Sequence, residues 1–513
     1  MKSKAMMALK ILIAFAIPFA ISALYCLVRG VTLIELYLPA SYNNDCVFYY
    51  KLVDAIVTKG GPTGFFGFNE SHAMIGGFAA WSPLLLMPWA LWGVIFGWTY
   101  SSVIWCNLTL FGIALAVFVG LAEVDFKTLG ALFVMLLLFP GFSINLMNVL
   151  PEIVVVSVML VYLGFAVRAA AKGPRISYIV AMYIIAAYLT VTRPYMLLLM
   201  IIPTYYLGKQ TKKSVAALCF VLVSGVSFLG NVLVGHFFTA AYFEPLFNTD
   251  FVKEFMAGHF SMSFWMAVSV FKSMTKGIAG ALVDAFSYGL TMGTQYVVAI
   301  VTAIAAFVMA VRKGENKYGA LCWFHFTSVM ALLLAIVFFL RKTNEGGRHI
   351  WAFAVIGIVI VCACGFDKLG IAVKAISAAL LIVFCTRGAI VPTDYDIPMP
   401  NEAAKENVEF WKTVFEDKNV FASDAKGYDN TVMWVFIDYA GETGVVTEYN
   451  ELYALPSGMG ISCCYPDYVI SNFDNLQSKF IVADSRGKVA ALCAEKGLKV
   501  VGEHENVIMY QRY

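Results

Sequence analysis

The sequence predicts a polytopic α-helical membrane protein of about eleven transmembrane helices, carrying one folded α/β domain outside the membrane at its C-terminal end. Three observations lead there. Of 513 residues, 60% are apolar and 13% charged, and the mean hydropathy is +0.77, a balance that a water-soluble chain could not cover with polar surface. Apolar runs long enough to cross about 30 Å of hydrocarbon recur along the first three quarters of the chain. From residue 393 onward the pattern turns charged and mixed.

The runs lie near 8–28, 102–122, 128–145, 153–170, 176–192, 214–235, 294–311, 319–340, 349–365 and 370–391, with a shorter one at 195–207. The first follows a basic start (Lys2, Lys4, Lys10) and lacks a small-residue cleavage site, so it reads as a helix that stays in the protein. A twelfth apolar stretch, Trp81 to Trp98, is ambiguous. Short cytoplasmic loops collect lysine and arginine. Lys127, Lys172/Arg175, Lys209/Lys212/Lys213, Arg312/Lys313/Lys317 and Lys368 fall on the side of the N-terminus only if 81–98 does not span. That stretch holds Pro83 and Pro88 and suits a helix lying in the interface. The resulting topology puts the N-terminus in the cytoplasm. Two long loops, 29–101 and 236–293, and the tail fall on the outer side, dividing the chain into a membrane domain, 1–392, and an extracytoplasmic domain, 393–513. Within the second loop, Phe264–Val270 and Ile278–Phe286 read as two amphipathic interfacial pieces.

After Pro392, Pro398 and Pro400 the tail predicts a helix over Glu402–Phe415, strands over Val420–Ser423, Gly444–Thr447 and Phe480–Ala483, a helix over Lys488–Lys496, and a closing hairpin of Leu498–Glu503 with Asn506–Gln511. The cysteines show no zinc spacing. Those in apolar runs read as packing residues, and Cys493 could pair with Cys463 or Cys464 in an oxidising compartment. A net charge of +3 without a long basic run is too mild to suggest nucleic acid, and none is expected as a partner.

Charges inside the bilayer are costly and usually functional, and here the ionisable residues gather at the outer ends of the spans. Asn44-Asp45 and Tyr49-Tyr50 set one acid among amides and aromatics soon after the first span. Glu70 and His72 form a second polar knot in the same loop, for which a solvated surface is an equal reading. Glu152, behind Pro151, opens a span, where the helix dipole favours a carboxylate in any case. Arg193 stands where positive residues are scarce; its planar fork suits phosphate, and snorkelling is the alternative. Arg341, Lys342 and Arg348-His349 place three cations and a histidine on the outer side, and such a cluster asks for an anionic partner such as lipid-linked phosphate.

This arrangement resembles the polyprenyl-phosphate-dependent glycosyltransferases of the GT-C superfamily. The resemblance rests on Asn44-Asp45 followed by Tyr49-Tyr50, the Pro-rich stretch from Ser82-Pro83 to Phe96-Gly97, Glu152, and the Arg348-His349 pair opening a late span, and it covers roughly 1–392. It implies a multi-pass enzyme of the cell envelope. Its partners would be membrane lipid, a polyprenyl-phosphate sugar donor and an extracytoplasmic glycan, lipid or protein acceptor. Asp45 would be the general base of an inverting transfer. Arg348, with His349 and Arg193, would hold the phosphate, while Glu152 would orient substrate or, with Asp45, bind a divalent metal ion; Asn44, Tyr49, Glu70 and His72 complete the candidate substrate contacts. The first loop has no Asp-x-Asp pair and the second only a lone acid.

The main rival is a transporter or lipid flippase of envelope precursors, which would place ionisable or broken-helix sites near the midplane; the span centres here are nearly free of charge. A scaffold whose tail binds cell-wall polymer is a third reading.

Overall fold

A computed structural model describes residues 2–40, 44–60, 66–70, 82–239, 248–288, 292–312, 318–340, 343–363, 368–390, 402–417, 421, 431–435, 450–456 and 460–513. Its membrane part runs α1 (Lys2–Val28), α2 (Asn44–Lys59), α3 (Met87–Phe96), α4 (Ser102–Ala122), α5 (Phe126–Leu137), α6 (Pro140–Met147), α7 (Glu152–Lys172), α8 (Ile176–Thr192), α9 (Ile201–Gln210), α10 (Lys213–Phe238), α11 (Asp250–Met256), α12 (Phe260–Tyr288), α13 (Met292–Arg312), α14 (Gly319–Phe339), α15 (Thr343–Ala363) and α16 (Lys368–Ile390). Among the described residues nine helices are long and apolar enough to cross a membrane, and ten if α5 and α6 count as one bent span. The run expected at 128–145 is thus broken: its two helices meet at 83°, where Pro140 removes a backbone donor and ends the first of them. The 195–207 run is also irregular, a 3-10 turn over Pro194–Met200 leading into α9. Among the described residues of 81–98 the only helix longer than one turn is α3, whose 10 residues reach about 15 Å.

Loop contacts sort the helix ends onto two faces. On one, the Lys10 ammonium donates to the Val124 carbonyl at 2.9 Å, Lys172 meets Glu123 at 3.1 Å, and Gln210 donates to the Pro174 carbonyl. On the other, the Ala40 amide donates to the Met147 carbonyl and the Tyr188 phenol to that of Leu84. The starts of α7 and α15 and the end of α8 belong to this second face.

The two amphipathic pieces expected in the second long loop are one continuous helix, α12, of 29 residues. Its length and hydropathy would allow it to span, yet apart from the neighbouring α11 the partners it packs on among the described residues are helix ends of the second face. Phe271 packs on Phe338 at the end of α14, Gly277 against Thr343 at the start of α15, Ala281 against Gly293 at the start of α13, and Phe286 on Phe384 in the last turns of α16. A helix that meets only ends over about 22 Å of its axis runs across the bundle and not through it. Lys272, Lys276 and Asp284 are exposed on it beside Phe264 and Trp265, the composition of an interfacial helix.

The tail contains α17 (Glu402–Phe415), α18 (Pro466–Asn472) and α19 (Lys488–Glu495) around a six-stranded sheet. Its strands are β1 (Phe66–Phe68), β2 (Thr431–Val435), β3 (Gly460–Cys464), β4 (Phe480–Asp484), β5 (Lys499–His504) and β6 (Val507–Gln511), in the order β1-β3-β2-β4-β6-β5. The first four positions pair in parallel, and β6 and β5 close the sheet antiparallel as the expected hairpin. Period-two alternation buries both faces. Val432, Trp434, Phe480 and Val482 join Trp411 of α17 and Tyr453 in a core continuous with that of the membrane helices. Met433, Val435, Ile481 and Ala483 pack under α18 and α19. Of the expected strands, Gly444–Thr447 lies outside the described residues; Phe421, the one described residue of Val420–Ser423, sits in a bend. Edge strand β1 comes from the first long loop, so loop and tail share one sheet.

Candidate active site

Four of the expected residues meet at the second face, each delivered by a local rule of the chain. Asp45 stands in the first turn of α2, where the helix dipole favours a carboxylate. Glu152 opens α7. The turn before it is held by the Asn148 side chain, whose Oδ1 accepts from the Leu150 amide at 3.1 Å, while Asn107 of α4 donates to the Leu146 and Asn148 carbonyls. Arg193 follows α8 in an extended conformation, φ −145° and ψ 107°, because Pro194 disfavours helical geometry in the residue before it. Arg348 and His349 lie in the first two turns of α15, after Gly346 and Gly347. A Cβ on Gly346 would collide with the Tyr296 phenol oxygen, which donates to the Thr343 carbonyl at 2.7 Å; only glycine lets α13 approach so closely there.

The side chains form a continuous charged chain. Arg348 donates to Asp45 Oδ2 at 2.7 Å and its Nε lies 3.4 Å from Glu152 Oε1. Arg193 donates to the same Oε1 at 2.8 Å. Arg193 also donates to the Tyr195 phenol at 3.0 Å, and that phenol is 3.0 Å from His349 Nδ1. Accepting from the guanidinium leaves the Tyr195 hydroxyl proton for Nδ1, which keeps the outer ring nitrogen of a neutral His349 as donor. Burial is graded. The side chains of Arg193 and Glu152 are 1% and 2% exposed, that of Arg348 16%, and that of Asp45 37%. Asp45 and one side of Arg348 therefore face outward from a buried Glu152–Arg193 base. Among the described residues, Arg348 Nη2 and Glu152 Oε2 make no hydrogen bond although both are buried. Tyr49, one helical turn beyond Asp45, is buried beside the cluster; burial first, then the Asp45 carboxylate, push its phenol well above the usual range.

The other expected residues are placed differently. The Glu70 carboxylate accepts the backbone N–H groups of Gln477, at 2.9 Å, and Ser478, at 2.6 Å, so it fastens the sheet and stands outside the charge chain. Asn44 begins α2 with its side chain outside the described residues, as are His72, Arg341 and Lys342. Cys464 and Cys493 are buried free thiols, and Cys463 is buried as well. Sequence reading missed Tyr195, which links the two halves of the cluster; the signal was its position two residues after Arg193 across a proline. The Arg348 guanidinium sits between Asp45 and Glu152 and pairs with both, and no group of three His, Cys, Asp or Glu gathers among the described residues.

No family model matches the chain, and no curated protein matches it. Among solved structures, the apo oligosaccharyltransferase of Archaeoglobus fulgidus aligns with a TM-score of 0.50 and 12% identity, over 92% of this chain and 69% of that one. The chain has a GT-C fold. The structure of ArnT from Cupriavidus metallidurans bound to undecaprenyl phosphate aligns with a TM-score of 0.44 and 9% identity, over 96% of this chain and 97% of that one, and its apo form with a TM-score of 0.43. The fold agrees with the GT-C resemblance read from Asp45, Glu152 and Arg348-His349, and it makes the chain a multi-pass membrane protein.

Proposed function

We propose that this GT-C protein transfers a sugar from a polyprenyl-phosphate-linked donor to an acceptor on the extracytoplasmic side, with Asp45 as general base. The observation that carries the reading is the Asp45–Arg348 pair, with Asp45 facing outward, seated on a buried Glu152–Arg193 pair at the mouth of a bundle whose fold is shared with an oligosaccharyltransferase. The orientation rests on the lysines and arginines collected at the opposite face, the cytoplasmic one by the positive-inside tendency.

In the reaction, an acceptor hydroxyl attacks the anomeric carbon as its bond to the phosphate oxygen breaks. Polyprenyl phosphate leaves with the electron pair, the acceptor proton passes to Asp45, and the configuration inverts. Arg348 is suited to the leaving phosphate because its Nη2 has an N–H without a partner among the described residues, and planar bidentate contact is what guanidinium offers phosphate. A phosphate there competes with Asp45 for the guanidinium and so frees the carboxylate to accept a proton when donor is bound. Glu152 holds both arginines and keeps them charged in a site shielded from water.

The test is Asp45→Asn in the full-length protein. Loss of a general base costs about 10²–10⁴-fold in turnover, with expression and donor binding retained. Wild-type transfer by this variant would remove Asp45 from the mechanism, and solute or lipid movement in proteoliposomes without a glycosyl product would replace the enzyme by a transporter.

A further inference from the structure

Helix α2 is gripped from two sides. At 100° per residue, Asp45 and Tyr49 share one face, and Tyr50, Lys51 and Asp54 share the opposite one. The first face meets the charge cluster. The second meets the tail: the buried Lys51 ammonium donates to the Leu455 carbonyl, and the Tyr50 ring stands edge-on to Tyr453 at 4.9 Å while stacking on Trp98 at 5.0 Å. An ammonium taken out of water is costly unless paired. Burial holds the Lys51 pKa below the usual lysine range, opposed by Asp54 at 3.6 Å. Plain packing between a helix and a soluble domain has no need of such a group. A second anchor lies further along the same loop. Strand β1 adds to the sheet beside β3, the Glu70 amide donates to Ser462 Oγ at 2.8 Å, and the Glu70 carboxylate takes the Gln477 and Ser478 amides.

We infer that the tail is a structural part of the catalytic centre, and that Lys51 is a positioning residue through which it sets Asp45 against Arg348. The inference rests on the function proposed above, and it differs from a role for the tail in covering the site or binding acceptor. A general base must sit within hydrogen-bond reach of the proton it takes, and a displacement of about 1 Å costs on the order of 10²-fold. α2 follows a loop and has no covalent tie to the spans on its far side nearer than α4, so its position depends on what grips it.

The experiment compares full-length wild type, Lys51→Met, Lys51→Arg and Glu70→Gln by turnover and by hydrogen exchange in detergent. Lys51→Met keeps the apolar stem and deletes the ammonium. It is expected to lower kcat about 10–100-fold with donor KM unchanged, and to speed exchange over 44–59 while 152–172 stays protected. Lys51→Arg restores both readouts, and Glu70→Gln shifts exchange over 66–70 and 44–59 in the same direction by less. Unchanged exchange and kcat in Lys51→Met would overturn the inference. So would acceleration spread equally over the spans, since Lys51 would then serve stability alone. If wild type transfers no sugar, the functional reading fails by itself, and the exchange measurements still decide whether the tail holds α2.

Discussion

The Glu152–Arg193 pair offers the sharpest energetic test, because both side chains are almost wholly removed from solvent, at 2% and 1% exposure, and lie 2.8 Å apart. Taking away one member leaves a buried charge without its counter-ion, which costs about 3–5 kcal/mol. Glu152→Leu is the harsher change, since it strands Arg193 and also removes the carboxylate 3.4 Å from Arg348. Arg193→Met strands only the carboxylate, which keeps Arg348. The double variant replaces the pair by apolar groups of similar size and removes the stranded charge, so its loss should fall well short of the sum of the two single losses, and that shortfall is the coupling. Equilibrium unfolding of the four proteins in mixed detergent micelles measures that coupling. Strictly additive losses would show that the two residues do not form a pair in the folded protein and would undo the electrostatic base of the site.

Gly346→Ala puts a methyl into the Tyr296 phenol oxygen and Ile336. It should cost about 1–3 kcal/mol by overpacking and lower activity beyond its effect on stability, because α15 carries Arg348; an unaltered melting temperature would contradict the close approach of α13 and α15. In the tail, burial pushes the Cys464 thiol up to about 11 and that of Cys493 up to about 12, from 9.0. Both should resist thiol reagents at neutral pH in the folded protein. The unfolded thiols ionise first, so their contribution is whole below pH 9 and is lost as pH rises toward 11 and 12. Rapid labelling at pH 7 without unfolding would contradict that burial.

Much of the bundle was legible because the bilayer admits few solutions: apolar run length and the side on which lysines collect reject 81–98 as a span, and α3 proves too short to be one. Asp45, Glu152, Arg193 and Arg348 were legible for a related reason. Ionisable residues at helix ends on a face poor in lysine are few, and the fold brings all four into one chain of contacts. The break at Phe139 was marked by Pro140, which the hydropathy of 128–145 concealed. What pairing alone decides was not legible. Phe66-Gly67-Phe68 is too short to show a period, and its partner β3 is about 400 residues away, so nothing local marks it as a strand. For the same reason the part Glu70 plays in holding the sheet was not legible: a carboxylate that caps backbone amides of a distant segment is indistinguishable in sequence from one that binds substrate.

The most direct test is to purify wild type and Arg348→Gln in mild detergent and identify retained lipid by mass spectrometry. Wild type should carry a polyprenyl phosphate or its glycosylated form, and Arg348→Gln should lose it while keeping bulk phospholipid. Equal retention by both proteins, or bulk phospholipid alone on wild type, would contradict the assignment of this site to lipid-linked sugar transfer.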